Sequence, residues 1–449
     1  MKKIISIVII LIICLSLSGC DYSIVSVDNL MRPPKLSGES SELQEAFEKT
    51  LENPESVILK NSISGNYRSS FLFYDLDNDK QSEAFVFYSE PETSEMAFCS
   101  VFKKVNDNWV RVNTIKGRGE EIYEIDFADV NGDDVFEIVI SWTFSPDNQR
   151  AISNSLSYIG DRILTLYSYS GNNLTLMKSE NFTKLYIDDF NNDDSDELLL
   201  LNINLTSSEN RTTARIIEFD ANYSISMDNS LTLSNMLEIH NIVTDSLDGR
   251  TRIFIDGSVS ENTFITEILD INHENFEITL PLYESNTSVS PSTIRTSQIL
   301  SKDIDDDGII EIPTLEMLNE GVNLDEGSEA PLFLTVWSEF GNEGLKVDFK
   351  CLLNVAHNYY YIFPDSWNRI ITAKYYSDNS TLKFTNISDG NISEIEIFKV
   401  KTFTLTDWEN YNGEFIKFDE DGVFVYAYIY NDSTEYTQND FIENFVIID

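Results

Sequence analysis

The sequence predicts an all-β fold, a β-propeller of seven four-stranded blades with a short N-terminal helix and a leader segment in front of it. Three observations support this: an acidic nine-residue loop that recurs four times, short apolar strands on both sides of each loop, and no long helical period after residue 55. The loops are Asp75–Glu83, Asp129–Glu137, Asp189–Glu197 and Asp303–Glu311. Their first residues lie 54, 60 and 114 residues apart, and the last gap corresponds to two steps of 57.

Degenerate copies of the repeat fill the remaining steps, near Asp245, Asp365 and Asp419. The copy near Asp245 lacks oxygen side chains at loop positions 3 and 5, so we expect no metal there. Seven blades of about four strands are then expected, near residues 66–116, 120–180, 183–230, 235–283, 292–355, 358–402 and 410–449. The last unit has only three strands, so residues 56–60 are expected to add the fourth strand and close the ring, which removes open sheet edges.

Oxygen side chains occupy positions 1, 3, 5 and 9 of every intact loop. A calcium ion takes about six to eight oxygen ligands. Side chains at positions 1, 3 and 5 can converge on one ion, the carbonyl group of position 7 can join them, and the position-9 glutamate can bind with both oxygens. No loop contains Cys or His, which argues against zinc or copper, and magnesium is disfavoured because it resists dehydration.

The loops have two other interpretations. An EF-hand or a dockerin needs helical flanks, and an EF-hand also needs a glutamate at position 12, where this chain has Val86, Ile140, Leu200 and Thr314. Ordinary Asp/Asn turns stay open as an alternative. Four copies with the same terminal glutamate favour the metal interpretation.

Asp-x-Asn-x-Asp-x-x-x-Glu loops between strands at this period resemble the VCBS/FG-GAP repeats of bacterial surface proteins and integrin-type propellers. The resemblance covers about residues 65–315; it is weaker in the first loop, where Lys80 replaces the usual glycine, and the Phe-Gly start of FG-GAP repeats is missing. It implies calcium sites on one face of the propeller. The implied ligands are Asp75, Asp77, Asp79, Glu83, Asp129, Asn131, Asp133, Glu137, Asp189, Asn191, Asp193, Glu197, Asp303, Asp305, Asp307 and Glu311.

The N-terminus is a targeting segment rather than part of the fold. Two lysines precede an apolar run that is too short for a typical transmembrane helix, and the run ends in Leu17-Ser-Gly-Cys20. This resembles a bacterial lipobox, which implies a signal peptide over 1–19, lipid on Cys20, a tether over 20–39 and a helix over 40–55. A plain signal peptide with a chance cysteine is the alternative. The lipobox interpretation places the protein on the outer face of the bacterial cytoplasmic membrane, with Asp21 after the anchor.

Composition excludes some functions. A net charge of −45 argues against binding to nucleic acid, and 42% hydrophobic residues suffice for a core. Cys99 and Cys351 are expected to be buried thiols, although one disulfide stays possible. No catalytic signature surrounds the histidines at 240, 273 and 357.

The sequence favours a non-enzymatic, calcium-stabilised binding or scaffold module for a protein or a glycan. The alternative is a surface polysaccharide lyase or hydrolase, which would need a deep central pocket lined by Tyr, Arg, Lys or His. A structural spacer is the third possibility. The aromatic residues between Tyr359 and Trp367 form the best candidate platform for a ligand, unless they are buried in a strand.

Overall fold

The computed structural model describes residues 38–92, 96–144, 162–171, 173–205, 207, 211–318, 332–388, 391–432 and 436–448. The predicted signal peptide, Cys20 and the predicted tether up to residue 37 lie outside these ranges. Inside them, 27 strands form six antiparallel sheets, accompanied by three short α-helices. None of the helices in the described ranges has the length and apolar character that crossing a membrane requires.

The first four sheets follow one another along the chain. The first contains the short extra strand β1 (Ile58–Leu59) and four blade strands, counted first to fourth: β2 (Phe71–Tyr74), β3 (Glu83–Ser89), β4 (Ala97–Val105) and β5 (Asn108–Lys116). The second contains β6 (Glu121–Ala128), β7 (Glu137–Thr143), β8 (Arg162–Ser170) and β9 (Asn173–Phe182). The third contains β10 (Lys184–Asp188), β11 (Glu197–Ile203), β12 (Thr212–Phe219) and β13 (Ile225–Thr232). The fourth contains β14 (Glu238–Leu247), β15 (Arg250–Ser260), β16 (Thr263–Asn272) and β17 (Ile278–Thr279).

The last two sheets have five strands each, and the last strand of the chain returns to the fifth sheet. The fifth contains β18 (Glu311–Met317), β19 (Phe333–Gly341), β20 (Gly344–Asn354), β21 (Tyr359–Ile362) and, from the end of the chain, β27 (Phe445–Ile447). The sixth contains β22 (Ile371–Tyr376), β23 (Thr381–Ser388), β24 (Asn391–Thr404), β25 (Ile416–Glu420) and β26 (Phe424–Tyr430). The helices are α1 (Glu39–Glu48), α2 (Leu405–Glu409) and α3 (Asn439–Ile442), and single 3-10 turns cover Pro54–Ser56, Pro291–Thr293, Val355–His357 and Asp365–Trp367.

The prediction of an all-β fold with four-stranded antiparallel propeller blades is confirmed. The second strand of the early sheets is buried along its whole length, as in β3 and β7, because both faces of the sheet are covered. The fourth strand is more polar and exposed, as in β5. The first strands of the second, third and fourth sheets converge on one cavity, as the inner strands of propeller blades do.

The predicted count of seven blades is wrong for this part of the chain, which has six sheets. The predicted last blade, 410–449, forms no sheet of its own. β25 and β26 pair within the sixth sheet, and β27 pairs with β21 in the fifth. The reason is that β24 continues for 14 residues, so its far half offers an edge that β26 occupies. The regions near Asp365 and Asp419 are therefore a 3-10 turn and a strand, not blade starts.

The expected closing strand is also in a different place. Residues 58–59 pair with residues 88–89 of β3, just beyond the point where β2 stops pairing with β3. They extend the first sheet rather than completing the last one. The N-terminal helix is shorter than predicted and ends at Glu48, ahead of Pro54, which disfavours a helical conformation in the residue before it.

Apolar cores join each sheet to the next along the chain. Separate clusters join the first to the second sheet, the second to the third, the third to the fourth, the fourth to the fifth and the fifth to the sixth. The outer face of the first sheet packs on Leu43 and Phe47 of α1. The outer face of the sixth packs on Trp408 and Tyr411, in and just after α2. Among the described residues, no apolar cluster joins the first sheet to the sixth.

Candidate metal centres

The four acidic loops occupy equivalent places in their sheets. The first three connect the first strand of a sheet to its second strand, and the fourth leads into β18 through a bridge between Lys302 and Glu311. Each position-9 glutamate is the first residue of the strand that follows. These glutamates are 0–1% exposed, so four carboxyl groups are buried at the same edge of four sheets.

One hydrogen-bond pattern repeats in all four loops. In the second, the Asp129 carboxylate accepts the amide protons of Asp133 at 3.1 Å and Asp134 at 2.8 Å, and Glu137 Oε2 accepts that of Val130 at 3.1 Å. Positions 4 and 6 are left-handed in every loop; the eight residues are Asn78, Lys80, Gly132, Asp134, Asn192, Asp194, Asp306 and Gly308. Lys80 thus adopts the conformation that glycine adopts more easily, and the backbone of the loop is the same.

Several buried oxygens in these loops have no hydrogen-bond partner in the structure. They are Asp77 Oδ1, Asn131 Oδ1, Asn191 Oδ1 and Glu311 Oε1, all at position 3 or 9. Leaving such an atom unsatisfied costs about 1–3 kcal/mol, and a bound cation would remove that cost. Asn131 Nδ2 donates to Asp133 Oδ2 at 3.1 Å. Rotating the Asn131 amide group by half a turn would instead point its oxygen toward Asp133 Oδ2, where a cation could bind both oxygens.

In three of the four loops the acidic groups are close enough to hold a metal ion, and among the described residues the carboxylates of the second loop do not form such a group. Oxygens of Asp75, Asp77 and Glu83 lie within 4.8 Å of one another, and so do oxygens of the equivalent residues of the fourth loop, Asp303, Asp305 and Glu311. In the third loop the group consists of Asp193, Glu197 and Glu218. All these ligands are oxygens, which hard divalent cations prefer. The residues present therefore fit an oxygen-coordinated cation.

Each position-9 glutamate also accepts a hydrogen bond from the backbone of its own loop. In each loop Oε2 accepts the amide proton of position 2, at 2.8–3.1 Å. Side-chain donors reach Oε1 in the first three loops, whereas Glu311 Oε1 has no hydrogen-bond partner in the described part of the chain. Burial first, and nearby aspartates to a smaller degree, raise the pKa of Glu137 to about 7, of Glu197 to about 9 and of Glu311 to about 7. A nearby positive charge would favour the ionised form of each carboxyl group.

Four further residues at these sites were missed by the sequence analysis. Lys103 and Glu218 reach the loops from the third strands of the first and third sheets. Tyr169 donates to Glu83 Oε1 at 3.3 Å, and Tyr223 donates to Glu137 Oε1 at 2.9 Å. Each tyrosine lies 86 residues after its glutamate, in the next sheet. This shared spacing of 86 residues is the sequence signal that could have identified the two tyrosines.

The loops lie side by side and are linked between neighbouring sheets by the amide of position 8. Phe136 donates to the carbonyl oxygen of Leu76 at 2.8 Å, and Asp196 to that of Asp129 at 2.8 Å. In the fourth loop, Ile310 donates to Asp245 Oδ2 at 3.1 Å. The degenerate copy near Asp245 is a tight hairpin between β14 and β15, and Arg252 Nε lies 3.0 Å from Asp245 Oδ1.

The cavity between the first strands of the middle sheets has a volume of about 230 Å³. Tyr123 and Glu124 of β6, Lys184 of β10 and His240 of β14 line it. Burial raises the pKa of Glu124, and the charge of Lys184 opposes that shift. Two residues further along β6, burial and the charge of Glu124 raise the pKa of Asp126 to about 7.

The other sequence candidates are structural. Tyr359, Tyr360, Tyr361, Phe363 and Trp367 are all buried in cores of the fifth and sixth sheets, so the alternative of buried aromatic residues is confirmed and they form no ligand platform. Cys99 and Cys351 are free, buried thiols in separate cores, as expected.

One histidine does meet a serine, although the sequence shows no signature for it. His357 Nε2 lies 3.2 Å from Ser380 Oγ, and its Nδ1 lies 3.2 Å from Asn354 Oδ1. Asn354 ends β20 of the fifth sheet, and Ser380 turns between β22 and β23 of the sixth. The ring therefore bridges these two sheets.

No protein-family model and no curated protein matches the chain. Solved structures with a similar fold include an α-L-arabinofuranosidase from Lactobacillus brevis, with a TM-score of 0.28, 10% identity, and 67% of this chain and 93% of that one covered. An exo-β-1,3-galactanase from Phanerochaete chrysosporium has a TM-score of 0.26, 12% identity, and coverages of 77% and 80%. A rhamnogalacturonan lyase from Bacillus licheniformis has a TM-score of 0.30, 12% identity, and coverages of 76% and 75%. Similarity at this level carries no argument about a site or a substrate.

Proposed function

We propose that the protein is a calcium-binding propeller of the VCBS/FG-GAP type that presents a binding or scaffold surface for a protein or a glycan. We further propose that lipid on Cys20 anchors it to the outer face of the bacterial cytoplasmic membrane, which the Leu17-Ser-Gly-Cys20 motif supports. The observation that carries the proposal is the set of buried, unpartnered loop oxygens at positions 3 and 9.

Calcium would neutralise charge in the acidic loops and make them more rigid. Each ion would bring two positive charges to a cluster of buried carboxylates in a chain whose net charge is −45. It would also fix the loop ends relative to one another. Because the position-8 amides join neighbouring loops, an ion in one loop would restrain the next as well. Extracellular calcium modules often bind at about 10⁻⁴–10⁻³ M, so occupancy would follow the surroundings of the cell.

Thermal melting tests the metal part of the proposal. The soluble form that starts at Asp21 would be melted with increasing calcium, with magnesium, and with a chelator. A midpoint that rises with calcium concentration is expected, because an ion that binds only the folded state stabilises it. Asp129→Ala should reduce the rise, whereas Asp378→Ala, in an exposed turn outside the loops, should not. A midpoint that is the same in all three conditions would reduce the loops to acidic turns.

The anchor is tested separately. Cells expressing the full chain would be fed a labelled fatty acid, and the protein would be followed between membrane and soluble fractions. The label should appear on the wild type and be absent from Cys20→Ser, which should leave the membrane. Equal labelling of both proteins would contradict lipidation at Cys20.

A second candidate function is a polysaccharide hydrolase or lyase, and the cavity at the first strands favours it. Tyr123, Lys184 and His240 are of the types that neutralise or deprotonate an acidic sugar, and Glu124 supplies a carboxyl group beside them. Neutral and uronate-containing polysaccharides would be assayed for new reducing ends and for the absorbance of unsaturated products. Activity that Glu124→Gln abolishes, and Glu180→Gln on the exposed β9 does not, would support an enzyme. Absence of activity on every polysaccharide would leave the binding module as the better interpretation.

A further inference from the structure

The acidic residues of the first loop contact the positively charged side chain of Lys103, which extends from β4. Lys103 Nζ lies 3.2 Å from Asp77 Oδ2, 3.6 Å from Asp79 Oδ2 and 3.2 Å from Glu83 Oε1. The Lys103 side chain is 21% exposed and the Glu83 side chain is fully buried. The ammonium group therefore contacts the carboxylates of positions 3, 5 and 9, which a metal ion would need.

Lys103 occupies this place because of the strand register. Ala84 pairs with Phe102, so continuing the ladder by one residue sets Lys103 directly opposite Glu83. The same continuation sets Ser168 opposite Glu137 and Glu218 opposite Glu197. In the fifth sheet the bridge at Lys302 takes the place of a first strand, so β19 corresponds to the third strand and the pair is Glu311 with Glu339. Directly opposite side chains share a face with Cβ atoms about 4.5–5.5 Å apart, so this third-strand position always faces the loop glutamate.

The chemistry at this third-strand position differs between sheets. Lysine brings a positive charge and three donors to the first loop. Glu218 brings a further carboxylate to the third, where its oxygen lies within 4.8 Å of those of Asp193 and Glu197. Within the described residues, no lysine or arginine forms an ion pair with a ligand carboxylate of the second, third or fourth loop.

We propose that the residue opposite the loop glutamate decides which loops bind calcium. Lys103 replaces the ion in the first loop, and Glu218 adds a ligand to the ion of the third. This proposal rests on the proposed calcium function and refines it: the first loop is ordered by its own lysine at any calcium concentration, while the other three depend on calcium. The predicted site formed by Asp75, Asp77, Asp79 and Glu83 is then a site for an ammonium group.

The Lys103 ammonium group and a calcium ion cannot occupy the first loop at the same time. An ammonium nitrogen sits about 2.7–2.9 Å from a carboxylate oxygen, and calcium sits about 2.3–2.6 Å from its ligands, so both need the same space. Lys103 Nζ donates to Asp77 Oδ2 at 3.2 Å and lies 3.2 Å from Glu83 Oε1, so it already occupies this space. Calcium could enter only after the lysine had left three carboxylates and gone to solvent.

Exchanging the charges at positions 103 and 218 tests the proposal. Calcium bound per molecule would be measured by equilibrium dialysis of the full-length protein in detergent, at saturating calcium. The wild type should bind about three ions, Lys103→Glu about four and Glu218→Lys about two, since the exchange creates one oxygen site and fills another with an ammonium group. In chelator, Lys103→Glu should also melt at a lower temperature than the wild type, and calcium should restore it.

Lys104→Glu is the matched control, because it makes the same change of charge one residue along β4. Lys104 pairs with Glu39 of α1, on the opposite face of the strand from the loop. It should bind as many ions as the wild type. If Lys103→Glu does not fold, Lys103→Gln removes the cation without adding a charge and should also gain an ion.

The outcomes separate the two proposals. A wild type that binds no calcium contradicts the proposed function itself. A wild type that binds about four ions, or variants at 103 and 218 that bind the same number as the wild type, would overturn the role of the third-strand position and leave the calcium function standing.

Discussion

Asp129 and Asp196 exchange hydrogen bonds across two neighbouring sheets. The Asp196 amide donates to the carbonyl oxygen of Asp129 at 2.8 Å, and the Asp129 amide donates to Asp196 Oδ2 at 2.9 Å. Asp129 opens the second acidic loop, and Asp196 is the eighth residue of the third. The two loops are therefore joined by two hydrogen bonds, and we expect that restraining one loop also restrains the other.

Asp196→Ala should destabilise the protein and uncouple these loops. The variant removes the acceptor of the partly buried Asp129 amide, and a buried amide left unpaired costs about 1–3 kcal/mol, which is the upper bound here. Urea unfolding in chelator would measure the loss. Asp196→Asn keeps an acceptor oxygen and should lose much less. Equal losses in the two variants would mean that the hydrogen bond contributes nothing.

Asn131→Ala should matter in calcium and matter little without it. Asn131 Oδ1 has no partner in the structure, and its amide makes one 3.1 Å hydrogen bond to Asp133, so the cost in chelator should stay below about 1 kcal/mol. In calcium, the rise in melting temperature should shrink because one ligand is gone. Asn78→Ala is the contrast, since Asn78 Nδ2 donates to the carbonyl oxygen of Asp134 at 2.8 Å and binds no ion. Its loss should be equal with and without calcium, and a calcium-independent loss in Asn131→Ala would contradict the ligand role.

Asp126→Asn should stabilise the protein at neutral and higher pH. Burial and the charge of Glu124 raise the pKa of Asp126 from 3.8 to about 7 in the folded state, so the folded state holds this proton more tightly than the unfolded state. The stability contributed by the proton is complete below pH 3.8 and disappears as the pH rises through about 7. At pH 8 the variant should exceed the wild type by on the order of 1–2 kcal/mol, and near pH 4 the two should be similar.

Unfolding in chelator at a series of pH values would measure this difference. Asp107→Asn, at an exposed turn between β4 and β5, is the control and should follow the wild type at every pH. A difference between Asp126→Asn and the wild type that does not change with pH would contradict the expected shift.

Phe47→Ala should show that α1 is an integral cover of the first sheet. The ring is 2% exposed and lies 4.9 Å from that of Tyr88, edge to face. Truncating a buried phenylalanine costs about 3–5 kcal/mol, and this one would also expose the sheet face beneath it. Urea unfolding should show that loss, while Glu45→Ala, on the exposed side of the helix, should change stability by less than about 0.5 kcal/mol. A neutral result for Phe47→Ala would mean that the helix only rests on the sheet.

The early part of the fold could be predicted because its signals are local. Loops with fixed acidic positions, apolar runs after them and polar fourth strands repeat at steps of 54 and 60 residues between residues 71 and 232. The last two units lack the loop, so their boundaries depended on spacing alone. Spacing carries no information about partners, and it could not show that β27 returns to the fifth sheet or that β26 takes the free edge of β24.

The candidate sites divide in the same way. The four loop patterns identified the acidic clusters, and the position-9 glutamates are buried against them. Lys103, Glu218, Tyr169 and Tyr223 escaped because they reach the loops from a third strand or from the next sheet. Their role depends on register, which shifts every side chain to the other face if it changes by one residue.

The sequence by itself determined the all-β class, the loop repeat and the oxygen chemistry of the loops, because these follow from the order of residues over short distances. Tertiary structure decided the number of sheets, the cover over each terminal sheet and which loops contain a cation of their own. Those features arise where strands distant in sequence meet. Lys103 is an ordinary lysine in a strand until pairing with β3 sets its ammonium group against Glu83.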